Sequence, residues 1–156
     1  MAEVIVVLDK PAAQSHNSSP YSELEIAAER FGWEVHFAKD LSETSSQNLL
    51  RALNREHEIV AVMFSPEAMG LPWQEALNLV HSWAPLAQPI LFFRMADRPP
   101  AEELSRAGVF HAIGLPLRKQ ELHHSLGFVW ADRNPALKRK NAAADLKNDH
   151  HLSAGS

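Results

Sequence analysis

The sequence predicts an α/β protein, a doubly wound parallel sheet of five strands in the order 2-1-3-4-5 with helices on both faces. Three observations predict it. Five short apolar runs alternate with segments of helical period through the first 133 residues. The first run, residues 4–8, is apolar on both faces, as a central strand of a parallel sheet must be. Right-handed crossovers between strands then leave few arrangements, and five strand–helix units fit this order.

The elements follow in turn. Residues 4–8 form the first strand. Ser19 and Pro20 read as an N-cap with proline at the first helical position. Tyr21, Leu24, Ala27, Ala28 and Phe31 make the apolar face of that helix, and Gly32 stops it. Residues 33–37 alternate, which places the second strand nearer an edge. A weaker helix spans about residues 46–56, with Leu49, Leu50 and Leu53 inward. Residues 59–64 are the third strand. A helix beginning near Pro72 presents Trp73, Ala76, Leu77 and Val80. Residues 89–93 are the fourth strand, and the next helix starts after Pro100 and ends at Gly108. Residues 110–114 are the fifth strand. The last helix runs from about 117 to 131, with Leu122, Leu126 and Val129 on its apolar face.

The domain so defined spans residues 1–133. Asn134 and Pro135 break the last helix, and residues 134–156 read as a flexible tail or a linker to an output domain. Lys138, Arg139 and Lys140 there read as a solvated cluster.

Composition narrows the function. The chain of 156 residues is 46% hydrophobic and 22% charged, enough for a real core. A net charge of -4 gives no basic field, so nucleic-acid binding by this domain is not expected. The absence of cysteine excludes disulfides, thiolate metal sites and a cysteine nucleophile. No apolar run approaches a membrane span, and the N-terminus lacks a basic signal-peptide region, so a cytoplasmic location is expected.

The most telling stretch is Ile113, Gly114, Leu115, Pro116: a strand running into Leu-Pro, followed by an amphipathic helix. Together with the element order over residues 3–132, it resembles the bacterial response-regulator receiver domain, of flavodoxin-like (βα)5 fold. The resemblance implies a two-component signalling module with four positions that carry phosphorylation. An acidic pair ends the family's first strand and holds magnesium; here Asp9 is followed by Lys10. The phosphoacceptor aspartate belongs at the end of the third strand. If residues 58–60 open that strand, Met63 occupies its place, and a shift of one or two residues offers Phe64 or Ser65. A small hydroxyl residue is expected where Arg94 stands, and the family's lysine is replaced by Leu115. Aspartyl phosphorylation needs a carboxylate nucleophile, a divalent cation and a cation on the phosphoryl oxygens. The sequence therefore reads as a degenerate pseudo-receiver: not an enzyme, without cofactor or metal, working by protein interaction.

Two readings fit the altered carboxyl edge of the sheet. Asp9 and Arg94, expected at the ends of neighbouring strands, form an internal salt bridge. Alternatively Arg94 faces an anion, with Lys10 and Arg98 nearby. Arg94, Asp97 and Arg98 match two short arginine patterns of cyclic-diguanylate binders, and an arginine fork suits guanine and phosphate. A nucleotide sensor is thus the rival function. The long loop of residues 10–19 lies over the same edge and lacks the glycine pattern of a phosphate loop, so it reads as a lid or interaction loop.

Other candidates are weak. His123 and His124 point different ways on a helix, His150 and His151 lie in the tail, and His36 and His111 read as structural histidines. Ser65 has no evident base and Glu67 no visible partner. The receiver's usual dimerisation face offers Glu102, Glu103, Arg106, Arg118, Lys119 and Glu121, a mixture suited to a self-complementary homodimer. Trp83 and Trp130 would mark an interface where exposed.

Overall fold

Strand β1 (Ala2–Leu8) has five consecutive residues, Val4 to Leu8, with no solvent exposure at all. A strand buried on both faces must lie inside a sheet that is covered on both sides. The computed structural model, which describes residues 2–9, 21–94, 98–109, 111–115 and 118–133, meets this demand. Its order is β1 (Ala2–Leu8), α1 (Ser22–Arg30), β2 (Glu34–Phe37), α2 (Glu43–Glu56), β3 (His57–Phe64), α3 (Pro66–Met69), α4 (Trp73–Trp83), β4 (Gln88–Arg94), α5 (Ala101–Arg106), β5 (His111–Leu115) and α6 (Lys119–Arg133). The five strands form one parallel sheet in the order β2-β1-β3-β4-β5, as the sequence predicts.

Alternation along the strands splits the core into two layers. Val4, Val6, Leu8, Val62, Phe64 and Leu91 pack with Leu50 and Leu53 of α2, Leu77 and Val80 of α4 and Leu104 of α5. Ile5, Val7, Met63, Ile90, Phe92 and Ile113 pack with Leu24, Ala27 and Ala28 of α1 and Leu122, Leu126 and Val129 of α6.

The β1–β3 ladder carries one irregularity. Val4 pairs with Ile59 but Ile5 pairs with Ala61, so Val60 is an extra residue. Such a bulge sets two residues against one. Val60 and Ala61 both face the α1–α6 layer, and alternation then resumes.

Boundaries differ from expectation where local hydrogen bonds intervene. α2 begins at Glu43, three residues early, because the Ser42 hydroxyl accepts from the Ser45 amide at 3.3 Å. Asp40 supports the turn, accepting from the Ser42 amide at 2.9 Å. The short helix α3 was not expected. Ser65 caps it, Pro66 starts it, and Gly70 ends it at φ 70°. Trp83 is buried, whereas Trp130 is 37% exposed. At the opposite end of the sheet, the Arg133 guanidinium bonds Glu3 at 2.8 Å and also reaches Glu58, so the end of α6 is tied to β1 and β3. The expected cap at Ser19 and Pro20, Phe110, and residues 134–156 lie outside the described residues.

The core position with the clearest test is Leu126, fully buried on α6. Leu126→Ala is expected to destabilise the domain by about 2–5 kcal/mol, read as a lower urea midpoint with an unchanged slope.

Candidate functional site

Open α/β sheets bind ligands beyond the carboxyl ends of their strands. Here β1 ends at Leu8 and β3 at Phe64, which are paired, and the Ser65 amide continues the ladder to the Leu8 carbonyl at 3.0 Å. Counting from the start of β3 places Met63 at this edge. β3 continues past it to Phe64, so Met63 lies inside the strand, fully buried toward α1 and α6. Phe64 is fully buried toward the other layer. Ser65 stands at the edge, 5% exposed, with its hydroxyl accepting from the Ala68 amide at 3.2 Å.

Asp9 follows β1. Its carboxylate accepts a hydrogen bond from the Tyr21 hydroxyl. The Tyr21 ring is wedged between Phe37 and Phe92, with centroids 5.4 and 6.0 Å away. Burial, and then the bond and charge of Asp9, push the Tyr21 phenol far above its usual range. Nothing in the sequence marked this pair, since only the fold brings the first turn of α1 to the end of β1.

The expected Asp9–Arg94 salt bridge does not form. β3 stands between β1 and β4, which separates the two strand ends by two strand spacings, about 9.6 Å. Arg94 turns to Glu67 on α3 instead, with Nε 3.0 Å from the carboxylate. Glu67, for which the sequence showed no partner, is thus the counter-ion of Arg94. Both side chains are more than half exposed, so the pair adds little stability. Beside it lies a cavity of about 210 Å³ lined by Trp73, Phe93, Arg94, Pro99 and Leu115 among others. Arg98 is exposed and lines a separate cleft. Lys10, Asp97, Pro116 and the rest of the 10–19 loop lie outside the described residues.

That separate cleft, about 750 Å³, runs along the outer edge of β5. Its walls include His111 and Ile113 of β5 and Glu121, His124 and Phe128 of α6. α5 has only six residues. Phe128 is 53% exposed and packs its ring between His111 and His124, at 5.3 and 4.8 Å. Burial, with the nearby His124, lowers the His111 pKa. Glu102, Glu103, Arg106, Arg118, Lys119 and Glu121 are all exposed, and none forms an ion pair among the described residues.

No protein-family model and no protein of curated function matches the chain. Solved structures do. A response regulator from Thermotoga maritima is similar with a TM-score of 0.58 and 18% identity, over 84% of this chain and 99% of that one. A response regulator receiver domain protein from Clostridium thermocellum is similar at 0.58 and 19%, over 92% and 99%. Full-length FixJ from B. japonicum is similar at 0.62 and 17%, over 94% of this chain and 66% of that one. At these identities the likeness is one of fold: the chain has the flavodoxin-like fold of receiver domains.

Two pH effects follow from the site. Tyr21 is the single tyrosine of the chain. Its raised pKa means that the folded state holds the phenolic proton, so stability falls as pH rises beyond about 10, where a free phenol ionises. Tyrosinate absorbance should stay absent there until unfolding. Tyr21→Phe should cost about 1–2 kcal/mol at neutral pH and flatten the alkaline loss. For His111 the sign is reversed. Its lowered pKa favours the neutral ring in the fold, so stability is full above about pH 6.5 and declines as pH falls below it. His111→Gln should reduce that acid slope in urea titrations.

Proposed function

We propose that this chain is a phosphorylation-independent regulatory module of a bacterial signalling or transcription regulator, and that it acts by self-association through the α5–β5–α6 face. Residues 1–133 form the domain, and residues 134–156 form a tail or linker toward an output domain. It catalyses no reaction and works in the cytoplasm. Among the described residues, no helix is long and apolar enough to cross a membrane.

The observation that carries the reading is the end of β3. Where aspartyl phosphorylation needs a carboxylate nucleophile, the chain offers buried Met63 and Phe64 and then Ser65, whose hydroxyl caps α3. The neighbouring groups point the same way. Asp9 is engaged by Tyr21 and the Arg94 charge is met by Glu67, and the resemblance puts Leu115 in the place of the family's lysine. A domain without the phosphoryl chemistry keeps its surfaces. The exposed Phe128 lines the β5 cleft together with Arg98, Arg118 and Glu121, an apolar side chain among charged ones. Both signs of charge on one patch suit a two-fold contact, in which each sign meets the other across the axis.

A second reading has one observation in its favour. The cavity beside Arg94 combines a guanidinium with Trp73 and Phe93, a setting for a planar anionic ligand such as a cyclic dinucleotide.

Sedimentation velocity on the full chain tests both. A concentration-dependent dimer is expected, unchanged by magnesium with beryllofluoride and converted to monomer by Phe128→Asp. A monomer at every concentration would remove self-association, and a beryllofluoride-dependent shift would remove phosphorylation independence. Cyclic diguanylate binding that Arg94→Ala abolishes would replace the module reading with the sensor.

A further inference from the structure

The opposite end of the sheet gathers three side chains with metal-binding chemistry. Glu34 and His36 are two residues apart on β2, so they share one face. Val35 between them packs the other way, against the α1–α6 layer. His57 closes α2 and opens β3. Its side chain shares a face with Ile59, which packs in the α2–α4 layer. One donor atom from each of Glu34, His36 and His57 lies within 4.8 Å of the other two. The two imidazole centroids are 5.8 Å apart, and His36 Nε2 stands 3.3 Å from the Glu34 carboxylate. His57 Nδ1 is buried without a hydrogen-bond partner among the described residues. A buried ring nitrogen left unpaired costs free energy.

We propose that Glu34, His36 and His57 form a zinc site that ties edge strand β2 to the junction of α2 and β3. Two imidazoles and one carboxylate are a donor set that zinc accepts, with water completing the tetrahedron. Calcium and magnesium prefer all-oxygen shells. Donors at about 2.0–2.2 Å from zinc stand roughly 3.4 Å from one another. From separations of at most 4.8 Å, the donors would close by up to about 1.4 Å on binding. Glu34 is exposed and the two histidines half-buried, so the cluster meets solvent on its Glu34 side. β2 is a sheet edge of four residues, paired only with β1. A metal bridging from β2 past β1 to the start of β3 adds the tie that this short strand lacks. The site is independent of the carboxyl edge and of the regulatory reading. From the sequence alone His36 reads as a structural histidine. The set becomes visible only when β2 and β3 flank β1.

The test is titration of the full chain with zinc chloride, followed by calorimetry and by the thermal midpoint, with cobalt(II) absorption as a probe of tetrahedral nitrogen and oxygen ligation. The chain has nine histidines, so location is decided by variants. One equivalent of zinc and a raised midpoint are expected in the parent protein. Both should persist in the double variant His150→Gln, His151→Gln and disappear in His57→Gln. Glu34→Gln, at an exposed position that does not endanger folding, should weaken binding by roughly tenfold or more. Absence of a zinc-dependent midpoint shift in the parent would overturn the proposal. So would binding that is unchanged in Glu34→Gln and His36→Gln.

Discussion

The burial of β1 on both faces governs the rest of the structure. Five consecutive apolar residues without exposure require a neighbour on each side and a helical layer above and below. β2 and β3 supply the neighbours, α1 with α6 one layer, and α2 with α4 the other. The strand order then decides which chain ends meet. It brings Asp9 beside the start of α1, places β3 between Asp9 and Arg94, and leaves β2 and β5 as the two edges. The carboxyl edge, the β5 cleft and the histidine pair all inherit their composition from that one central strand.

At the carboxyl edge the charged groups are matched locally. Asp9 takes a phenol from α1, and Arg94 takes a carboxylate from α3. These are contacts of different kinds. The first sits in a wedge of aromatic rings and is part-buried. The second is largely solvated, so it fixes the resting position of the arginine without holding it tightly. The edge thus carries a part-buried contact on the β1 side and a solvated one on the β4 side, next to the cavity that Arg94 helps to line.

The strands and the sheet order were legible because an apolar run with helical flanks has few interpretations. The two core layers were legible for the same reason: Leu24, Leu50, Leu77, Leu122 and Leu126 are inward as their spacing requires. Pairings across the fold were not. Tyr21 with Asp9 and Glu67 with Arg94 join residues 12 and 27 positions apart, through turns whose paths no periodicity encodes. The edge position of β3 stayed open among Met63, Phe64 and Ser65, because a single extra residue leaves no mark in a run where every side chain is apolar. The Ser65–Pro66 start and Gly70 stop of α3 were present in the sequence, but four residues are too few to show a face.

The extra residue in β3 also says something about how this strand accommodates change. A register slip normally exchanges the faces of every residue beyond it. Here Val60 and Ala61 lie on the same side, so Ile59, Ala61, Val62, Met63 and Phe64 would alternate in phase with or without Val60. Without Val60 the other residues of the strand would face the layers they face now, and Val60 alone would leave the α1–α6 layer. Its length is decoupled from its packing. The chemistry displayed at the carboxyl edge of the sheet is free to change by one position in the sequence while the scaffold beneath it stays the same.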